Sequence, residues 1–418
     1  MCKPLRKADG ANVWKLWVFL YLKEMIRQQP KRSKTNSKRV LMIKHISKFL
    51  FCSLVFLSFV SQVLASERIF KSEDYTFKLT PIASGLEFPW GIDFLPNGDI
   101  LVTEREGYLN LIKKGSSEAL RISGLPENIY VAGQGGVLDI VVHPEFNDNN
   151  LIYISYAGRN KDGAGTEVVR ARLNGTALEN VTKIFAVTPK TSGSAHYGSR
   201  LVFDREHKLY ITTGDRYSFM DEAQNPNNHL GTVLRLNDDG SVPDDNPFIG
   251  MDGHQPEIFT YGHRNAQGIA LRPSDGVIWM HEHGPRGGDE VNILKAGTNY
   301  GWPAITYGID YSGAVISEET HADGMAQPVV FWNPSIAPSG MTFYTGDDFP
   351  EWQGNIFLGA LAATHLRRLV LEGDRVIKQE VLLDGLARIR DVAMSDDGHL
   401  YILTDDLDGS IFRVDPVE

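Results

Sequence analysis

The chain has 418 residues, of which 42% are hydrophobic and 22% are charged, so it is long enough and apolar enough to bury a sizeable core. Its 40 glycines and 20 prolines favour many turns between short strands over long helices. Residues 1–65 hold 13 of the 42 lysines and arginines but 2 of the 52 aspartates and glutamates, so the remainder has a formal net charge of −21. A chain this acidic is not expected to bind nucleic acid or anionic membranes.

The first 65 residues differ in composition from the rest. Residues 1–48 are rich in Lys and Arg, and an apolar stretch follows from Phe49 to Ala65. A basic segment, an apolar segment and a small final residue are typical of a secretory signal peptide, which predicts cleavage near Ala65–Ser66 and a periplasmic or secreted product. A retained membrane anchor is the alternative, although 17 residues are at the short limit for crossing a bilayer.

The signal-peptide interpretation has two consequences. The segment MIKHISK makes a normal start for such a peptide, so Met42 is the expected start and residues 1–41 an extension ahead of it. Both cysteines, Cys2 and Cys52, lie in the part that is removed. The mature chain, residues 66–418, is therefore predicted to have neither a disulfide nor a membrane span.

A turn followed by a strand recurs along residues 66–418. Five copies are close, and the sixth is looser: FLPNGDILVTE, VHPEFNDNNLIYISY, FDREHKLYITTGD, RPSDGVIWMHEH, MSDDGHLYILTD and YTGDDFPEWQGNIFLGAL. Their first residues are Phe94, Val142, Phe203, Arg272, Met394 and Tyr344. Turn residues supply tight reversals, and the strands supply a buried hydrophobic ladder. The repeat predicts an all-β fold, a six-bladed β-propeller of four-stranded antiparallel blades in one domain; a β-sandwich is the alternative.

The ends and the insertions of the repeat locate its functional rim. The last strand, SIFRV, is predicted to pair into the sheet of the first blade and so close the ring. The longest insertions lie between the copies that begin at Phe203, Arg272 and Tyr344, which are the third, fourth and fifth in chain order. Binding and catalytic groups of a propeller are expected on one rim, in such loops.

His196, in SAHYGSRLVF, comes just before a predicted strand. It is therefore expected to face the central mouth of the ring, where an imidazole can accept a proton at neutral pH. The alternative is a structural histidine that is hydrogen-bonded to a turn carbonyl.

Two arginines, Arg388 and Arg390, are two residues apart in LARIRDVAMSDDG and share one face of a strand. Paired arginines can clamp carboxylates in a bidentate manner. Their anionic partner is a ligand or, alternatively, Asp391 and its neighbours in a structural salt bridge.

The segment HEHGPRGGDE offers two kinds of metal ligand. His281 and His283 share a strand face and could hold a transition metal, although their spacing is not that of a zinc motif. The turn after them offers hard oxygens, which suit calcium, from the carbonyls of Gly284 and Pro285 and from Asp289 and Glu290. Plain turn chemistry is the alternative.

Taken together, these segments resemble the soluble aldose sugar dehydrogenases of the glucose/sorbosone dehydrogenase family, which depend on pyrroloquinoline quinone (PQQ). The resemblance runs from about Leu79 to Val414. Eight segments carry it in order: FPWGIDFLPNGDILVTER, GQGGVLDIVVHPEF, HYGSRLVF, YGHRNAQGIA, HEHGPRGGDEVN, NYGWP, IAPSGMTFY and RIRDVAMSDDGHLYILTD.

The resemblance implies an activity and a set of roles. An aldose is oxidised at C1 to a lactone, and the electrons pass to an external acceptor. His196 matches the catalytic base, and the carbonyls of Gly284 and Pro285 match the turn that holds the PQQ-bound Ca²⁺. Glu290 and Tyr300 match the ligands of a further structural Ca²⁺. The residues that match contacts to PQQ or the lining of its site are Gln134, Arg264, Asn265, Tyr311, Ala360, Leu361, Ala362, Arg388 and Arg390.

The chain departs from the glucose-oxidising relatives at two positions. Those relatives have a lysine near Ala362, where this chain has GALAATHLRR, and an aspartate where this chain has Ala195. The missing lysine removes a charged contact to PQQ, which bears on the affinity for the cofactor, and both differences weaken a preference for glucose. A calcium-dependent propeller hydrolase such as a lactonase, and a non-catalytic binding propeller, are the alternative functions. The expected oligomeric state is a monomer or a homodimer.

Overall fold

The computed structural model describes residues 68–417, and these fold as six β-sheets. The signal peptide, the start at Met42 and the two cysteines lie outside the described residues, so they stay predictions. Within residues 68–417, no helix has both the length and the apolar character needed to cross a membrane.

Most of residues 68–417 are in β-strands. The chain begins with β1 (Ile69–Lys71) and β2 (Thr76–Leu86). Blade 1 follows with β3 (Pro89–Phe94), β4 (Ile100–Glu104), β5 (Tyr108–Ile112) and β6 (Ala119–Arg121). Blade 2 contains β7 (Val137–Val142), β8 (Leu151–Asn160), β9 (Gly163–Asn174) and β10 (Ala177–Ala186). Blade 3 contains β11 (Gly198–Phe203), β12 (Leu209–Thr213), β13 (Thr232–Leu236) and β14 (Ile258–Tyr261).

The second half continues in the same way. Blade 4 contains β15 (Ala266–Leu271), β16 (Ile278–Glu282), β17 (Asp289–Ile293) and β18 (Val330–Trp332). Blade 5 contains β19 (Pro338–Phe343), β20 (Ile356–Ala360), β21 (His365–Glu372) and β22 (Arg375–Leu382). Blade 6 contains β23 (Ile389–Met394), β24 (Leu400–Thr404) and β25 (Gly409–Pro416). The helical segments of the described chain are α1 (Phe146–Asn149) and two 3₁₀ turns, Met220–Gln224 and Pro350–Trp352.

The first strands of the six blades form a ring. Strands β3, β7, β11, β15, β19 and β23 each pack against the next, and β23 packs against β3. Apolar faces of neighbouring blades fill the space between them; for example, Leu101 and Leu109 of blade 1 pack with Ile152 and Ile154 of blade 2. The six-bladed propeller of four-stranded antiparallel sheets is confirmed.

The ring closes differently from the prediction. Strand β25, which contains SIFRV, was expected to pair with blade 1, but it lies between β24 and β2 in blade 6. The pairing of β2 with β25 runs from Phe77 opposite Pro416 to Leu86 opposite Gly409. The physical reason is that the last repeat supplies three strands, so the fourth position of its blade is filled by the N-terminal strand β2. Strand β1 adds a short fifth strand at the outer edge.

A shift in register occurs near the beginning of every innermost strand. The shifts lie between Pro89 and Ile92, Val137 and Ile140, Gly198 and Leu201, Ala266 and Gly268, Pro338 and Met341, and Ile389 and Asp391. Irregularities of this kind re-aim side chains and are common beside functional sites. Here they coincide with the residues that line the centre of the ring, which include Trp90, Leu138, Gln267 and Arg390.

A single arginine on β11 links five of the six blades at the centre. Arg200 is buried, and its guanidinium lies 3.1 Å from Asp139 and 2.9 Å from Asp391. It also donates hydrogen bonds to the carbonyl oxygens of Gln267 (2.9 Å) and Arg390 (3.0 Å). The indole of Trp90 lies 4.1 Å from the guanidinium carbon. The two charged partners come from blades 2 and 6, so this ion pair fixes blades that are not adjacent in the chain.

Replacing this arginine is expected to destabilise the ring. In Arg200→Leu, two buried carboxylates lose their shared cation, which should cost about 3–5 kcal/mol of the free energy of unfolding. Urea unfolding monitored by circular dichroism measures the change. Arg375→Leu is the control, because Arg375 is 76% exposed and pairs with the exposed Glu372, and such pairs contribute little. Equal stability of the two variants would show that the buried ion pair does not hold the blades together.

Candidate active site

A cavity of about 260 Å³ lies at the end of the ring where the innermost strands begin. We call it the central cavity; its lining residues are Trp90, Arg105, Gln134, Leu138, Tyr197, Gly198, Asn265, Gln267, His283, Ala337, Leu361, Arg388 and Arg390. Six residues singled out from the sequence are among them: Gln134, Asn265, His283, Leu361, Arg388 and Arg390. Three innermost-strand side chains, Trp90, Leu138 and Gln267, were not anticipated.

His196 adjoins the central cavity and is buried. Its backbone N–H donates to Oε1 of Gln134 at 2.7 Å, and its backbone is in the left-handed region with φ 51°. Its Nδ1 lies 2.7 Å from Oδ1 of Asp215. Because a carboxylate accepts, Nδ1 carries the hydrogen and Nε2 keeps the free lone pair.

Asp215 orients the imidazole, and sequence reasoning missed it. It follows β12, and its second oxygen accepts a hydrogen bond from the indole N–H of Trp302 at 2.8 Å. The backbone N–H of Tyr217 donates to the first oxygen at 2.7 Å. These donors hold the carboxylate in one position. The signal available in the sequence was the aspartate at the end of KLYITTGD, a strand already recognised as part of the repeat.

Burial gives His196 the protonation state of a base. Desolvation lowers the pKa of His196, the hydrogen bond that it donates to Asp215 raises it, and the positive charge of Arg264 lowers it again; the net shift is downward. The imidazole is therefore neutral at neutral pH. A neutral imidazole with a fixed tautomer and a free Nε2 is equipped to accept a proton.

Arg388 and Arg390 share one carboxylate. Asp405 accepts from Arg388 at 2.8 Å and from Arg390 at 3.0 Å, whereas Asp391 pairs with Arg200. The alternative in which Asp391 balances the two arginines is therefore wrong. Burial alone would raise the pKa of Asp405, but the arginines bring the net shift downward, so it is ionised. One negative charge thus faces two positive charges.

Arg390 is an under-satisfied buried cation. Its Nε has no hydrogen-bond partner within the described residues, and one Nη reaches Gln267 at 3.4 Å. Burial lowers its pKa; Asp405 opposes this shift, and the nearby Arg200, Arg105 and Arg388 add to it. A buried cation surrounded by other cations is stabilised by an additional anion.

Arg105 is a third arginine in the central cavity, and sequence reasoning missed it. It lies in the turn between β4 and β5, and its guanidinium is 4.6 Å from the ring of Phe88. Within residues 68–417 no carboxylate lies within 4 Å of it. The segment ILVTER was noted for its strand and turn, and spacing alone did not show that the following arginine points to the centre.

Arg264 lies beside the cavity and is held by backbone oxygens. It donates to the carbonyl of Gly284 at 2.6 Å and to that of His283 at 3.2 Å. The ring of Tyr311, which is 56% exposed, lies 5.9 Å from its guanidinium carbon. The structure thus brings Arg264, Tyr311 and the Gly284–Pro285 turn together. The Gly284 oxygen, a predicted calcium ligand, is engaged by the guanidinium.

Glu290 lies on β17, and Tyr300 lies in the connection from β17 to β18; the carboxylate of Glu282 is a charged neighbour of both. The Tyr300 hydroxyl donates to the carbonyl of Ile293 at 2.6 Å and accepts from the N–H of Lys295 at 3.0 Å. Burial, and then the neighbouring Glu282 carboxylate, raise the pKa of Glu290. The phenol oxygen is therefore satisfied by its own turn, whereas Glu290 lies beside a second acid.

The two histidines of HEHGPRGGDE do not form a metal pair. Nε2 of His281 donates to the carbonyl of Ser339, and Nε2 of His283 donates to that of Pro338 at 2.6 Å. Both rings thus bind the backbone of β19, which contradicts a shared transition metal at these nitrogens. Among the described residues, no group of three or more His, Cys, Asp or Glu side chains is arranged to hold a metal ion.

The segment Ala360–Ala362 contributes to the cavity through its middle residue. Ala360 is fully buried in the core between blades, and Ala362 is exposed. Leu361 lines the cavity, and its carbonyl accepts from Arg388 at 3.2 Å.

Comparison with known proteins gives consistent relatives. The family model described as Glucose / Sorbosone dehydrogenase matches residues 86–413. Aldose sugar dehydrogenase YliI of Escherichia coli is 42% identical over 349 residues, covering 82% of this chain and 93% of the relative. A crystal structure of a glucose dehydrogenase has a TM-score of 0.78 at 44% identity and covers 80% of this chain and 98% of that one. The PQQ-bound aldose sugar dehydrogenase of Streptomyces coelicolor has a TM-score of 0.68 at 25% identity, covering 80% and 96%.

Proposed function

The chain belongs to the glucose/sorbosone dehydrogenase family of oxidoreductases, and we propose that it oxidises aldose sugars at C1 to lactones with PQQ held in the central cavity. The observation that carries the proposal is the excess of positive charge there. Arg105, Arg388 and Arg390 line the cavity, and Asp405 is the one carboxylate that pairs with any of them among the described residues.

The residues present fit a flat tricarboxylate. Among residues 68–417, the buried Nε of Arg390 lacks a hydrogen-bond partner and Arg105 lacks a carboxylate partner. Arginines favour bidentate contacts to carboxylates. Gln134 and Asn265 add amide groups at the same wall. The PQQ-bound relative from Streptomyces coelicolor supports the choice of this cofactor. Arg388, Arg390 and Arg105 would hold its acids, with Arg264, Tyr311 and Leu361 beside it.

Calcium is proposed at the carbonyls of Gly284 and Pro285, and a further structural Ca²⁺ at Glu290 and Tyr300. The fit is uneven. The carbonyl of Gly284 accepts from Arg264, so an ion at this oxygen would share it with a guanidinium, and the two positive charges would repel each other. At the second position the adjacent acids Glu282 and Glu290 suit a divalent cation, and the Tyr300 hydroxyl is already satisfied.

The chemistry of the site follows from His196. When bound, PQQ supplies the hydride acceptor and Ca²⁺ polarises the accepting carbonyl. The free Nε2 of His196 takes the proton of the C1 hydroxyl group, while Asp215 holds Nδ1–H and stabilises the imidazolium that forms. Renewed turnover would require an external acceptor to take the two electrons from the reduced cofactor. Ala195 and Ala362 replace an aspartate and a lysine of the glucose-oxidising relatives, so the proposal names aldoses as the substrate class and not glucose in particular.

The lining argues against the alternative functions. A calcium-dependent lactonase needs several carboxylates converging on one ion at the centre, whereas this cavity is lined by three arginines. A binding propeller has no need of a buried histidine with a fixed tautomer beside that cavity.

Reconstitution of the purified protein tests the function. With PQQ and Ca²⁺ added, the wild-type protein is expected to reduce a redox dye when given aldoses. His196→Ala is expected to bind PQQ in a fluorescence titration and to lose most turnover, by about 100-fold or more. Lactone hydrolysis with Ca²⁺ alone, and no dye reduction with PQQ, would instead support the hydrolase; neither activity would favour a binding module.

The pH dependence of turnover tests the pair formed by His196 and Asp215. Because the pKa of His196 is lowered, turnover should rise with pH, and the midpoint of this rise should lie below the ordinary histidine value of 6.5. In Asp215→Asn the raising influence of the carboxylate is lost, so the acid limb should move to still lower pH. Turnover should fall by about 100-fold because the base is misaligned. If the acid limb of the pH profile were the same in Asp215→Asn and in the wild type, Asp215 would have no influence on the pKa of His196.

The arginines are tested by binding rather than by turnover. Arg388→Ala and Arg105→Ala should each weaken PQQ binding by roughly 10- to 150-fold, the usual range for a hydrogen bond to a charged group. Added salt should weaken wild-type binding more than that of either variant. Arg159→Ala is the control, because Arg159 is exposed and rests on Tyr130 outside the cavity. Normal affinity in both cavity variants would contradict the cationic site.

A further inference from the structure

Two consecutive residues after Asp215 have an unusual backbone. Arg216 has φ 59° and Tyr217 has φ 66°, and neither is glycine. This left-handed region is unfavourable for residues with side chains, and such residues cluster at functional sites, where the surrounding structure imposes the conformation. The pair lies in the connection from β12 to β13, directly after the carboxylate that orients His196.

The surroundings of Arg216 impose this conformation. Its side chain is buried, one Nη donates to the carbonyl of Gly193 at 2.9 Å, and the other donates to that of Ala195. Its guanidinium carbon lies 3.6 Å from the ring of Tyr197. Arg216 thus anchors the connection to the loop that carries His196.

Because Arg216 is anchored, the side chain of Tyr217 lies beside His196 and is partly exposed to solvent. The ring of Tyr217 is 51% exposed, and its centroid lies 5.2 Å from that of His196 at an interplanar angle of 74°. Its backbone N–H is tied to Asp215. The chain therefore keeps a large, half-exposed aromatic surface at a fixed place next to the proton acceptor.

The occupant of that surface follows from its position. Because the two ring centroids are 5.2 Å apart, a sugar whose C1 hydroxyl reaches Nε2 of His196 would have its ring within reach of Tyr217. The axial C–H groups of a pyranose form an apolar face, and such faces pack on aromatic rings in binding sites. A rigid aromatic side chain with few rotatable bonds also loses little entropy when it is covered.

We propose that Tyr217 is the platform of the sugar subsite, on which the apolar face of an aldopyranose rests while its C1 hydroxyl lies at His196. The proposal builds on the sugar dehydrogenase function described above. It assigns Tyr217 to substrate recognition, with contact through the face of the ring rather than through the hydroxyl. Arg216 is a positioning residue that acts through the backbone of this connection.

The test compares two substitutions in the PQQ- and Ca²⁺-loaded enzyme. Tyr217→Asn removes the ring but keeps a residue that tolerates the left-handed backbone, and Tyr217→Phe keeps the ring and removes the hydroxyl. The Asn variant is expected to raise KM for aldopyranoses about five- to tenfold. Its PQQ affinity and its KM for the dye should stay within twofold of the wild-type values. The Phe variant should stay within twofold in all three.

The outcomes separate this inference from the function on which it rests. An active wild-type enzyme and an Asn variant with unchanged sugar KM would overturn the platform alone. A rise in KM for the Phe variant equal to that of Asn would assign the effect to the hydroxyl and would also overturn stacking. A wild-type holoprotein that binds PQQ but oxidises no sugar would overturn the dehydrogenase function and the platform together.

Discussion

The ion pair at the centre of the ring, Arg200 with Asp139 and Asp391, is the interaction on which the rest of the structure depends. Charges this deeply buried are costly unless they are paired and hydrogen-bonded, so the blades must keep the register that brings them together. The other donors of the same guanidinium bind the backbone oxygens of Gln267 and Arg390. The arginine of this ion pair therefore holds the backbone of two residues, Gln267 and Arg390, whose side chains line the central cavity.

The irregularity near the start of each innermost strand explains how a repetitive ring makes an asymmetric site. Six equivalent shifts turn six unequal sets of side chains to the centre, among them an indole, an amide and a guanidinium. Loops then add His196 from one side and Arg105 from another. The positive charge of the cavity thus comes from elements far apart in sequence. Residues 66–418 are strongly acidic as a whole, yet the fold brings these few arginines together at the centre.

The sequence predicted what depends on local pattern and missed what depends on the meeting of distant elements. The turn-and-strand repeat identified six blades because each copy has its own tight turn and buried strand. His196, Gln134 and the arginine pair were found because they lie in distinctive segments. Asp215 was missed, since nothing near it in the chain shows that it meets His196 and Trp302. The closure was assigned to the wrong blade, because pattern does not reveal which sheet lacks a strand.

The pairing of β2 with β25 has a consequence for the order in which the chain folds. The strand that completes the last blade is the first long strand of the described chain, with Phe77 opposite Pro416. The ring can therefore not close until the residues of β25 have left the ribosome, and loop closure over such a separation in the chain is slow.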